Sequence, residues 1–155
     1  MGKVKKLISL GLGMIVISLT ITSCTVKTSN DVIKESNGLK HFKEKHSDAK
    51  VMKHKDCDLN GDGLEDTIII FNHTKNGKKE VAFTVELGVK DGYEDLGHFK
   101  APLDNQSIEI KDTDGKPPTE FVISGSKNGE VGLGIYRVEN NKLIDIFGTG
   151  SMDAC

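Results

Sequence analysis

The chain has 155 residues, a formal charge of −2, no Trp, two Tyr and six Phe. That length suits one domain around a single core. An acidic balance without a basic stripe or stacking rings argues against nucleic-acid binding, and against attachment to an anionic membrane by charge.

Residues 1–23 read as a secretion signal. "MGKVKK" carries three lysines, and "LISLGLGMIVISLTI" is apolar over about the length of a signal-peptide core. The run is short for a membrane-spanning helix, the other reading of such a segment. It ends in "ITSC", which resembles the lipobox of bacterial lipoproteins at every position. The resemblance implies cleavage before Cys24, acylation of its thiol, and a place on the extracytoplasmic face of the cell membrane. A thioether-linked diacylglycerol plus an N-acyl chain suffices for stable anchoring. Residues 24–30 then form a polar tether. Cys57 and Cys155 remain, and outside the cytoplasm such a pair is able to oxidise. A Cys57–Cys155 disulfide would contribute roughly 4–5 kcal/mol in the chain-entropy model; the alternative is two free thiols.

Residues 31–155 are expected to form a single β-rich domain. A helix is expected over 31–48, capped by Ser29, Asn30 or Asp31, with Ile33, Leu39 and Phe42 as its apolar stripe and "SNG" at 36–38 weakening it. From Val51 the period becomes two. "VAFTVELGV" places Val81, Phe83, Val85, Leu87 and Val89 on one face; "EVGLGIYRVE" does the same with Val131, Leu133 and Ile135, leaving glycines on the second face. "TIIIF" at 67–71 is apolar throughout, as a strand covered on both sides would be. "KNG", "KDG" and "ENN" supply turns.

The strands repeat. "DLNGDGLEDTIIIFNHTKNG" lines up with "DTDGKPPTEFVISGSKNG", acid on acid and "TKNG" on "SKNG". Repeat one covers 51–101 and repeat two 106–150, a period of about fifty residues, as in propeller blades. Two units cannot close a propeller. The expected fold is mainly β: two antiparallel units of about four strands each, blade-like or a sandwich, with the N-terminal amphipathic helix on an open face.

"DLNGDGLED" presents Asp58, Asn60, Asp62 and Asp66 at offsets 1, 3, 5 and 9, and the Leu64 carbonyl at offset 7. Calcium takes six to eight hard oxygen ligands at flexible geometry, and a tight loop presents alternate side chains inward. An EF-hand would close with Glu at offset 12, where this chain has Ile69 in a strand-like run. The loop instead resembles the calcium loop of FG-GAP and VCBS-type repeats, known from integrin α-subunit propellers. That resemblance implies one structural calcium ion held by Asp58, Asn60, Asp62, Asp66 and the Leu64 carbonyl. The second copy keeps Asp112, Asp114 and Glu120 but places Lys116 at offset 5 and Pro118 at offset 7. Lys116 would repel a dication, so this loop is expected to keep its shape without metal.

Of the five histidines, His54 precedes Cys57 by three residues, but no second pair has zinc spacing, so His41, His46, His54, His73 and His98 read as surface residues. The abundant acids read as solvated. No serine lies in a nucleophile elbow, and no catalytic residue emerges. The expected function is a non-enzymatic, lipid-anchored surface module recognising a protein or glycan. The rival readings are an inhibitor, immunity or exclusion lipoprotein, and a cell-envelope hydrolase.

Overall fold

A computed structural model describes residues 35–75, 77–112, 115 and 117–146. The signal, Cys24, the tether, Asp114, Lys116 and Cys155 lie outside the described residues.

The helix α1 spans Asn37–Lys45. It starts later than the sequence pattern suggests, and "SNG" is its beginning rather than its interruption. The Ser36 hydroxyl accepts the N–H of Leu39, a cap worth roughly 1 kcal/mol. Lys43 and Lys45 in the last turn complement the helix dipole, and the His46 N–H closes the end on the Phe42 carbonyl at 2.8 Å. Leu39 and Phe42, three apart, carry the buried face.

Two antiparallel sheets follow. The first holds β1 (Lys50–Cys57), β2 (Asp66–Lys75), β3 (Lys78–Val89) and β4 (Gly92–Asp95) in chain order, and β5 (Phe99–Lys100) also pairs with β3. The second holds β6 (Asp104–Ile110), β7 (Phe121–Lys127), β8 (Glu130–Glu139) and β9 (Lys142–Asp145), again in chain order. The repeat in the sequence is thus a repeated four-stranded meander. Tight hairpins join β7 to β8 and β8 to β9. Asn128 and Gly129, then Asn140 and Asn141, all have positive φ, as two-residue turns that match strand twist require.

The main core lies between the sheets. Ile68, Ile70, Phe83, Val85 and Leu87 of the first meet Phe121, Ile123, Tyr136 and Val138 of the second. The Phe83 and Tyr136 rings are 4.8 Å apart. On the other face of the first sheet, Ile69, Phe71 and Ala82 pack under Leu39 and Phe42 of α1. "TIIIF" is therefore covered on both sides, as its unbroken apolar run requires. The order of layers is helix, sheet, sheet.

Two features depart from the sequence pattern. The Val131, Leu133 and Ile135 side of β8 faces outward, with Val131 79% exposed, and the glycine side faces the core. The Tyr136 ring explains this, because it lies over Gly134, where a β-carbon would sit 2.5 Å from the phenol oxygen. Acids are also buried: Asp56 and Glu86, expected in solvent, and Asp66 and Glu120, which close the two acidic loops. Glu86 lies under α1 and bonds His41 Nδ1 at 2.7 Å, while Thr67 joins the Ser36 hydroxyl to Asp56. A polar seam therefore runs beside the apolar contact of helix and sheet.

Candidate metal centre

The acidic loop joins β1 to β2, and its shape follows from its own side chains. Asp58 Oδ1 accepts the N–H groups of Gly61 and Asp62 at 2.8 and 3.2 Å, and Oδ2 accepts that of Gly63 at 2.9 Å. Asn60 Oδ1 accepts from the Asp62 N–H, and Asp62 Oδ1 from the Leu64 N–H. Gly61 and Gly63 have φ of 78° and 85°, a region open to glycine and costly for most side chains. Asn60, Asp62 and Leu64 are thus held on a short, partly exposed coil around Asp58.

Asp66 closes the loop from inside. Its oxygens accept the Leu59 N–H and the Gly88 N–H, each at 2.8 Å, so one carboxylate ties the loop to β3. Gly88 is close to the loop backbone; a β-carbon there would stand 2.7 Å from the Glu65 carbonyl. Asp66 is fully buried, and burial pushes its pKa up to about 6 although both backbone donors oppose the rise. The charges of Asp62 and Asp58 push it further the same way. The donor types of Asp58, Asn60, Asp62 and Asp66 suit a hard dication. Asp66, however, spends both oxygens on backbone N–H groups, and among the described residues the ligand atoms of Asp58, Asp62 and Asp66 are not gathered around one point. Asp58, Asn60, Asp62 and Asp66, with the Leu64 carbonyl, are the groups that the resemblance assigns to such an ion, which would supply positive charge and a tie between β1 and β2.

The second loop lies alongside. The Thr119 N–H donates to the Leu59 carbonyl at 2.7 Å, and Pro117 packs against Gly61. Asp112 Oδ1 accepts the Gly115 N–H at 2.6 Å, the counterpart of the Asp58–Gly61 bond, and Gly115 has φ of 71°. Glu120, the counterpart of Asp66, is buried, and Arg137 Nη1 stands 3.8 Å from its carboxylate. Here a guanidinium supplies positive charge at the loop's closing acid.

The histidines are not all surface residues. His41, His46, His54 and His73 are half-buried, and His98 is exposed. Cys57 is buried and disulfide-bonded, so it offers no thiolate to pair with His54. The fold brings His46, Asp95 and His98 together, with one ligand atom from each lying within 4.8 Å of the others. No spacing along the chain signals this group, because it joins the end of α1 to the end of β4 and the turn before β5.

No protein-family model, curated protein or solved structure matches the chain.

Proposed function

We propose that the protein is a lipid-anchored, extracytoplasmic binding module whose second sheet recognises a protein or glycan, and whose first loop carries one structural calcium ion. The observation behind this reading is an asymmetry between two like units. The outer face of the first sheet is covered by α1, whereas that of the second carries Val131, Leu133 and Ile144 in the open. Exposed apolar groups arranged together mark interaction surfaces in soluble domains. Register places Ser126 opposite Val131, Ser124 opposite Leu133, Val122 opposite Ile135 and Arg137 opposite Ile144, so polar groups border the apolar strip.

The lipobox-like "ITSC" supports the anchored location. The test is retention of an envelope protein or glycan on the immobilised protein, compared with Leu133→Asp. The expected result is loss of retention in the variant with an unchanged melting temperature. Equal retention by both proteins would contradict the reading.

A further inference from the structure

We propose that His46, Asp95 and His98 form a second metal site, for zinc(II), which clamps the end of α1 to the edge of the first sheet. This site is separate in place and in chemistry from the acidic loop. Two imidazoles and one carboxylate suit zinc and its neighbours in the first transition row, whereas calcium and magnesium prefer oxygen alone.

Two of the three ligand separations are close to those around such an ion, and the third pair lies within 4.8 Å. Two ligands about 2.0–2.1 Å from a tetrahedral zinc lie about 3.3–3.4 Å apart. His46 Nε2 stands 3.1 Å from Asp95 Oδ2, and His98 Nε2 stands 3.6 Å from the same oxygen. Two imidazole nitrogens thus converge on one carboxylate oxygen, the second beyond hydrogen-bond length.

Surrounding groups fix this arrangement. Asp95 Oδ1 accepts the Thr84 hydroxyl at 2.7 Å and the Gly97 N–H at 2.8 Å, which turns Oδ2 toward the histidines. Such outer partners orient ligands in known metal sites. The His46 ring packs on Phe42 at 4.7 Å and edge-on to His98 at 4.8 Å; His98 in turn packs on Phe71 at 4.9 Å and meets His73. The rings are therefore held on an apolar floor. Three protein ligands leave one zinc position for water or another group, as in zinc sites that are not purely structural.

The test is zinc titration of the untagged, metal-stripped, full-length chain in detergent, by calorimetry and by the visible absorption of a cobalt(II) substitute. The expected result is one zinc per chain, a cobalt spectrum of tetrahedral type, and at least tenfold weaker binding in Thr84→Val. His98→Ala, at an exposed position, should abolish uptake while circular dichroism stays unchanged, and His46→Gln should do the same. Asp62→Ala, which removes a loop oxygen, should leave zinc uptake intact, so a failure of the calcium reading would not touch this one. Absence of zinc uptake, or equal uptake by wild type and both histidine variants, would overturn the site.

Discussion

Single residues decide which parts of the repeat are tied down. Asp66 and Glu120 hold the same position in the two loops, yet one meets backbone N–H groups and the other approaches Arg137. Gly88 must stay small for Asp66 to reach its N–H. Gly88→Ala should therefore destabilise the domain by roughly 1–3 kcal/mol, since an added β-carbon meets the Glu65 backbone rather than a side chain able to swing away; urea unfolding measures this. Tyr136 gives a pH signature. Burial, then the Asp145 charge, pushes its hydroxyl up to about 12 from the ordinary value of 10.0. A raised acid favours the neutral form in the fold, so this contribution is full below pH 10 and disappears as pH rises through 12. The loss amounts to about 3 kcal/mol. Between pH 9 and 12 the urea midpoint should fall more in wild type than in Tyr136→Phe. With two Tyr and no Trp, near-ultraviolet absorbance should also show Tyr136 ionising last.

At the scale of elements, α1 is short and depends on its contacts. Ser36→Ala should cost roughly 0.5–2 kcal/mol through the lost cap, and Phe42→Ala roughly 3–5 kcal/mol through the emptied contact with Phe71. Both are read from chemical denaturation, and equal stability in Phe42→Ala would refute helix docking as drawn. The strands were legible because period-two alternation and Asn/Gly turns are local signals, and each unit's order follows from its hairpins. The helix start was not, because three polar residues before Val32 offered caps as good as Ser36. Nor was the outward face of β8. Val131, Leu133 and Ile135 alternate as core residues do, and only the Tyr136 ring over Gly134 explains why the glycine side faces in. The burial of Asp66 and the anchoring of half-buried Asp95 were not legible because their partners are distant in sequence: Gly88 donates to Asp66 from another strand, and Thr84 to Asp95 across a hairpin. The group of His46, Asp95 and His98 was hidden for the same reason.

For the whole molecule, two copies of one meander have diverged in what completes them. The first carries the more acidic loop, the helix and the histidine cluster; the second carries Arg137 near its closing acid and an open apolar face. The side-by-side packing of the loops, through Thr119 and Leu59, means that a tie in one supports both. If the first loop holds calcium, the ion adds to folding stability by mass action, about 2.7 kcal/mol at a hundred times its dissociation constant. For a domain of this size that is on the order of 5–15 °C in melting temperature. The most direct measurement is the thermal melt of wild type and Asp62→Ala in millimolar calcium and in EGTA, with zinc absent. Calcium should raise the wild-type melt by that amount and leave Asp62→Ala unmoved. Identical wild-type melts in calcium and EGTA would contradict the calcium tie.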